Sequence, residues 1–252
     1  MKTVMITGCS SGFGLETARI FLDRGWNVIA TMRTPRDDLL PVSERLRIVM
    51  LDVSDPKSIR RAAEEAGPID VLVNNAGIGW LNALEGTPMD MVRGLFETNT
   101  FGTIAMTQAV LPQLRERRSG VIINVSSSTT LKPLPLLSVY RASKAAVNAF
   151  TESLSSELTS FGVRVHLVIP GRAPETRFSD SARSRIAAVG IPEAYAELTQ
   201  SVFAGWQQET EGTHASDVAE AVWRAATDAS SPLRLAAGAD AVAWLAEAER
   251  AA

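Results

Sequence analysis

Short apolar runs separated by longer amphipathic stretches set the rhythm of the chain. Val4–Ile6, Val28–Met32, Leu46–Leu51, Val71–Val73, Val121–Val125 and Val163–Ile169 are each a few residues long and rich in β-branched side chains and leucine. Continuous apolar runs of that length fit strands covered on both faces, where neither side of the pleat meets water. Between them, apolar positions recur at helical spacing over roughly Gly14–Arg24, Pro56–Ala66, Met89–Arg117 and Tyr140–Ser160. Two of these stretches have readable starts. Asp55-Pro56 puts an N-cap before a proline at the first helical position, and Thr87-Pro88-Met89-Asp90 resembles a capping box with the same proline. Strand and helix alternate over most of the chain, so the expected fold is α/β with a doubly wound parallel sheet. No repeat, low-complexity tract or linker interrupts the pattern, and residues 1–252 read as a single domain. Such sheets bind ligands at the carboxyl ends of their strands, which directs the search for chemistry.

Composition narrows the function classes. Lys and Arg (25) nearly balance Asp and Glu (28), so no nucleic-acid or membrane-surface partner is expected on electrostatic grounds. The single cysteine, Cys9, excludes an internal disulfide and a cysteine-rich metal knuckle, and no histidine spacing points to a metal. No apolar run approaches the ~18 residues that cross a bilayer. The chain start turns polar at Thr7-Gly8, too soon for a signal-peptide core. A soluble, cytoplasmic protein is the expectation.

After the first apolar run comes Thr7-Gly8-Cys9-Ser10-Ser11-Gly12-Phe13-Gly14. Glycines let the backbone turn sharply and admit a pyrophosphate with no Cβ in the way, while the following helix start offers free N–H groups and a positive dipole end. The spacing is G-x3-G-x-G rather than G-x-G-x-x-G, and a merely tight connection is the competing explanation. No Gly-Lys-Ser/Thr follows, so it is not a P-loop. A dinucleotide site ordinarily ends its second strand on an acidic residue for the ribose hydroxyls. Here Arg33 stands there instead, a planar cation suited to a 2′-phosphate, which favours NADP(H) over NAD(H). A solvated loop arginine is the alternative.

Tyr140 and Lys144 lie four apart at the start of a helical stretch, hence on one face. An unperturbed phenol titrates near ~10, too high for proton transfer at neutral pH. A fixed neighbouring ammonium lowers that value, so the pair is expected to bring the phenol toward the working range. Ordinary surface packing explains most such pairs. Thirteen residues earlier, Ser127 follows the run Val121–Ser126 and so sits at a strand's carboxyl end, where a hydroxyl can steady developing negative charge. A polar strand-to-loop transition over Ser126–Ser128 is the plainer account.

Together these segments resemble the short-chain dehydrogenase/reductase family over nearly the whole chain. Thr7–Gly14 is similar to the family's T-G-x3-G-x-G turn, Asn74-Asn75-Ala76-Gly77 to its N-N-A-G segment, and Pro170-Gly171 to its P-G turn. Leu51-Asp52-Val53 looks like the segment that contacts the adenine, and Pro232-Leu233-Arg234 through Gly238 like the last strand. Asn99, Ser127, Tyr140 and Lys144 fall where the family carries its catalytic tetrad. The resemblance implies a Rossmann-like fold and carbonyl–alcohol interconversion by hydride transfer from a nicotinamide cofactor. It implies that Tyr140 passes the proton, that Lys144 lowers the tyrosine pKa and holds the nicotinamide ribose, that Ser127 orients the substrate oxygen, and that Asn99 supports a water relay to Lys144. It implies cofactor contacts from Gly8, Ser10, Ser11, Gly12, Phe13, Gly14, Arg33, Asp52, Val53, Asn75, Ala76, Gly77, Tyr140, Lys144, Pro170 and Gly171.

One stretch departs from the family. The threonine expected five residues past the proline is Glu175 here, and Thr176 stands one later; Thr176 is the residue assigned to the nicotinamide amide. Residues 172–212 resemble the variable substrate lid and carry Phe178, Tyr195, Phe203 and Trp206. With Trp80, Leu81, Leu131, Leu134, Leu136 and Leu137 these side chains suggest an apolar wall for a hydrophobic ketone or secondary alcohol, core packing being the alternative. A hydrolase fits poorly: of the two histidines, His166 lies on an apolar run and reads as a packed core residue, and Cys9 reads as a small filler. The rival is a catalytically silent NADP-binding sensor or interaction protein, which would have no need of Tyr140. By family analogy a homodimer or homotetramer is expected.

Overall fold

The structure, a computed structural model, describes residues 1–173, 184–186, 188–208 and 212–251. Along the chain run β1 (Thr3–Ile6), α1 (Gly12–Asp23), β2 (Asn27–Met32), β3 (Leu46–Met50), α2 (Pro56–Ala66), β4 (Val71–Asn74), α3 (Met89–Phe96), α4 (Gly102–Arg117), β5 (Gly120–Val125), α5 (Ser138–Leu158), β6 (Val163–Pro170), α6 (Ala196–Gln208), α7 (Ala215–Thr227), β7 (Arg234–Ala237) and α8 (Ala239–Ala251). The strands form one seven-stranded sheet in the order β3-β2-β1-β4-β5-β6-β7, every neighbouring pair parallel. The direction of winding reverses between β1 and β4, and at that point the carboxyl ends of two strands diverge into a crevice.

Period-two alternation explains the apolar runs of the central strands. Val4 and Ile6, Val28 and Ala30, Val71 and Val73, and Val121 and Ile123 pack into a core with α1 and α7. Their intervening neighbours Met5, Ile29, Leu72 and Ile122 point the other way, into a core with α2, α4 and α5. Each face of the central strands is thus closed by helices, while the edge strand β3 leaves Arg47 and Met50 exposed. On the α1 side, Phe21, Trp26 and Trp223 meet edge to face with ring centroids 5.0–5.7 Å apart. Contacts of that kind add roughly 0.5–1.5 kcal/mol per pair beyond the area they bury.

The Asp55 cap is as the sequence implies: its carboxylate accepts from Lys57 N at 2.9 Å with proline next in line. The Thr87 capping box does not form. Pro88 is the N-cap of α3 and makes no side-chain cap bond. Thr87 Oγ1 instead donates to Ala83 O at 2.9 Å and accepts from Trp80 Nε1 at 3.0 Å, a use of the hydroxyl that leaves nothing for the helix. The stretch Met89–Arg117 is also interrupted: a π turn, Glu97–Phe101, joins α3 to α4. Such a turn inserts one extra residue into the helical ladder and is frequent at functional sites.

Candidate active site

The glycine turn closes on itself through Thr7 and Asn75. Thr7 Oγ1 accepts from Asn75 N (3.0 Å) and Ala76 N (2.9 Å), and Asn75 Nδ2 donates to Thr7 O (2.8 Å) and Gly8 O (3.2 Å). These four bonds tie the end of β1 to the end of β4 across the crevice. Gly8 holds φ +77°, and a Cβ there would lie 2.9 Å from Ala76 Cα, so the tie needs glycine. At Gly14 a Cβ would run into Gly8 O and Asn75 Nδ2. Its bare backbone therefore lets α1 seat against the turn, and Gly14 does not itself line the cavity. Ser11 caps α1 without a side-chain bond, which leaves the helix's first N–H groups facing the crevice.

One cavity of about 960 Å³ runs along the strand ends. At one end lie Arg33, past β2, and Asp52 with Val53, past β3. Hydrogen bonds from Ser54 N (2.9 Å) and Ser54 Oγ (2.6 Å) hold the Asp52 carboxyl below its usual range, and the Arg33 charge adds to the effect. Gly8, Ser10, Ser11, Gly12, Phe13, Asn75, Ala76 and Gly77 line the middle. Ser127, Tyr140, Lys144, Pro170 and Gly171 line the other end. Thr176 lies outside the described residues, as does Phe178.

At that far end the side chains are deeply buried: Tyr140 is 8% exposed and Lys144 5%. Burial pushes the Tyr140 phenol up to about 12, and a hydrogen bond shared with Ser127 works against that rise. The expected depression of the phenol by its lysine neighbour is thus outweighed in the ligand-free protein. Desolvation favours the neutral phenol, and the ammonium is engaged elsewhere: Lys144 Nζ donates to Val125 O at 3.0 Å. Burial likewise brings Lys144 itself down to about 8. The result is a phenol that keeps its proton at neutral pH beside a lysine poised to change charge. Ser127 Oγ is fixed by Thr129 N (3.3 Å) and Thr129 Oγ1 (3.0 Å).

Asn99 sits in the π turn, behind the cavity wall. Its Oδ1 accepts from Ile78 N (2.8 Å), and its Nδ2 donates to Ile78 O (3.0 Å) and Ser143 Oγ (3.1 Å). That clamps the chain after Gly77, whose missing Cβ would lie 3.4 Å from Lys144 Nζ. Below it a buried polar chain continues through Thr103, Thr107, Asn74, Asn124 and Thr151, each link 2.8–3.0 Å. The β6 end has its own brace. Asp240 at the start of α8 accepts from Arg172 N (2.6 Å) and Thr213 Oγ1 (2.8 Å), and Thr213 accepts from Gly171 N (3.0 Å). A Cβ at Gly171 would run into the Asp240 carboxylate.

Of the apolar residues singled out in the sequence, Trp80, Leu81, Leu134, Leu137, Phe203 and Trp206 line the cavity beyond Tyr140. Leu131 and Leu136 pack in core clusters, and Tyr195 instead donates to Glu85 at 3.0 Å. Leu136 adopts φ 63°, a left-handed conformation uncommon for leucine, just before α5 begins. Trp244 of α8 and Arg185 also line the cavity and were not singled out. Nothing in their local sequence marks them. His166 is buried, with Nδ1 2.8 Å from Pro232 O, and Cys9 is fully buried with its thiol pushed up to about 12, so both belong to the core. Among the described residues no group of acidic, histidine or cysteine side chains could hold a metal, and no helix is long and apolar enough to cross a membrane.

Comparison with known proteins agrees with this geometry. A family profile described as short chain dehydrogenase matches residues 2–186. The Bacillus subtilis (strain 168) protein named uncharacterized oxidoreductase YusZ is 37% identical, over 90% of this chain and 85% of that protein. A 3-ketodihydrosphingosine reductase of Bacteroides thetaiotaomicron is 35% identical, over 94% of this chain and 88% of the relative. Among solved structures, the closed form of a serine dehydrogenase complexed with NADP+ superposes with a TM-score of 0.78 at 30% identity, covering 94% of both chains. A parallel sheet wound in this order, a glycine turn locked at its switch point and relatives that span nearly the whole length converge on one assignment: the chain belongs to the short-chain dehydrogenase family of oxidoreductases.

Proposed function

We propose that this dehydrogenase uses NADP(H) to interconvert an apolar ketone and a secondary alcohol, with Tyr140 as the proton donor and acceptor. The observation that carries the reading is the buried Ser127–Tyr140–Lys144 group at the head of the cavity. The residues present suit a dinucleotide. Gly8 and Gly12 line the cavity with bare backbone, the first N–H groups of α1 face into it, and the cavity stretches from Arg33 to Tyr140. Gly8, Ser10, Ser11, Gly12 and Phe13 would hold the pyrophosphate, Asp52 and Val53 the adenine side, and Asn75, Ala76, Gly77, Pro170 and Gly171 the nicotinamide half. When bound, the cofactor supplies or accepts the hydride.

In the reducing direction Tyr140, neutral at working pH, donates its proton to the oxygen of the substrate carbonyl as negative charge builds there. Ser127 donates a hydrogen bond to the same oxygen and fixes its position. Lys144, charged below its pKa of about 8, steadies the phenolate left by that transfer and then returns a proton to it, becoming neutral until water reprotonates it. Asn99 acts from behind, by holding the Ile78 backbone and so the wall beside Lys144.

Trp80, Leu137, Phe203, Trp206 and Trp244 give the substrate end an apolar lining, which supports a hydrophobic partner. The relative named for a 3-keto substrate supports the ketone. Residues 172–212, carrying Phe203 and Trp206, would form the lid. Arg33 supports NADP(H), and the NADP+ of the superposed serine dehydrogenase agrees. A homodimer or homotetramer through the α3–α4 and α5 faces is part of the same reading, supported by Met89 and Phe101, apolar and more than half exposed there. The test is a panel of apolar and polar ketones assayed with NADPH and NADH side by side. Oxidation of NADPH with apolar members is expected; tight NADPH binding with no turnover on any member would instead mark a binding protein.

A further inference from the structure

Arg33 does not face the cavity alone. Arg185, in the short described helical piece 184–186 that follows β6, lines the same cavity. Its Nη1 is buried and has no hydrogen-bond partner among the described residues. A guanidinium carries five donors in a planar fork, and leaving one buried and unbonded is costly. The charges around it do not relieve that cost. Desolvation pushes the Arg185 pKa down, and the positive charge of Arg33 adds to the effect. Arg33 and Arg185 thus face the same cavity. Among the described residues Arg33 bears on the Asp52 carboxylate, whose two Ser54 bonds go to the same oxygen, turned toward its own loop. Two guanidiniums facing one cavity, one of them with a buried unbonded donor, make a site suited to an anion. Two guanidiniums suit a phosphate dianion, whose three oxygens accept forked donors from both sides.

We propose that Arg33 and Arg185 form a two-sided clamp on the 2′-phosphate of NADP(H), so that this phosphate ties the helical piece at residues 184–186 to the end of β2. The proposal rests on the NADP(H) reading above, and adds that cofactor choice is made partly by the lid side of the cavity. Its physical consequence is that the helical piece at residues 184–186 is held by the phosphorylated cofactor and not by its unphosphorylated counterpart.

Direct binding separates the possibilities. Dissociation constants are measured by calorimetry for NADPH, NADH, adenosine 2′,5′-bisphosphate and adenosine 5′-monophosphate, on wild type, Arg33→Ala, Arg185→Ala and Arg185→Lys. Arg185→Ala is expected to weaken NADPH and the bisphosphate by about ten- to a hundredfold, to leave NADH and the monophosphate unchanged, and to be partly rescued by Arg185→Lys. Equal weakening of NADPH and NADH would assign Arg185 to the pyrophosphate and overturn the clamp; so would no change in any ligand. If Arg33→Ala is selective for the 2′-phosphate while Arg185→Ala is not, the clamp falls and the NADP(H) reading stands. If wild type binds NADPH no more tightly than NADH, both fall.

Discussion

Replacing Lys144 with methionine should make the cofactor-free protein more stable while removing its activity. The ammonium is 5% exposed, and desolvation lowers its pKa from the usual 10.5 to about 8. Each pKa unit is worth about 1.4 kcal/mol, so keeping the charge in the folded state costs about 3 kcal/mol at neutral pH. Methionine matches the lysine stem in length and removes the charge, but leaves Val125 O without the bond it now accepts at 3.0 Å, a loss of about 1 kcal/mol. The net gain is about 2 kcal/mol, or roughly 4–8 °C in Tm for a chain of this size. The sign has a pH signature. Below pH 8 folded and unfolded chains both bind the proton, and the full penalty stands. Between pH 8 and 10.5 the unfolded chain keeps the proton that the folded one has released, so wild-type stability rises with pH through that window. The methionine variant lacks that slope. Urea unfolding at pH 7 and at about pH 9.5 should therefore show its advantage shrinking to near zero at the higher pH. A variant less stable than wild type at pH 7, or a gap that does not move with pH, would refute the burial argument.

Two other substitutions test the frame of the site. Gly14→Ala places a methyl against Gly8 O and Asn75 Nδ2, backbone and braced side chain that cannot both move aside; a loss of about 1–3 kcal/mol in unfolding free energy and weakened cofactor binding by calorimetry are expected. Asn75→Ala removes the 2.8 and 3.2 Å bonds to Thr7 O and Gly8 O, and about 1–3 kcal/mol of stability with them. Calorimetry should also show a larger loss of dinucleotide affinity than an exposed substitution such as Glu85→Ala produces.

Much of this architecture is legible in the sequence because a sheet buried on both faces writes itself as unbroken apolar runs. All six runs became strands, and the last strand, Arg234–Ala237, agrees with the segment the family resemblance supplied. The helix over residues 215–227 went unread, although Val218, Val222 and Ala225 give it a buried stripe. Spacing places Tyr140 and Lys144 on one face, yet it cannot say how dry that face is or which carbonyl the amine will find. Hence the direction of the phenol's shift depends on burial, a tertiary property. The π turn at Glu97–Phe101 is silent for a related reason: one inserted residue shifts the apolar phase too little to read over a single turn. Thr87 shows the competition between local and distant partners, since Trp80 and Ala83 take the hydroxyl that the capping pattern assigns to the helix. Asp240, Trp244 and Arg185 reach the site from segments whose own patterns carry no chemical signal.

The central claim is that one buried phenol moves the proton, and Tyr140→Phe addresses it with the least disturbance, since phenylalanine keeps the ring's packing and removes only the hydroxyl. With a ketone that wild type reduces, turnover is expected to fall by about 10²–10⁴-fold while the NADPH dissociation constant stays as it was. Turnover retained near the wild-type rate would contradict the assignment.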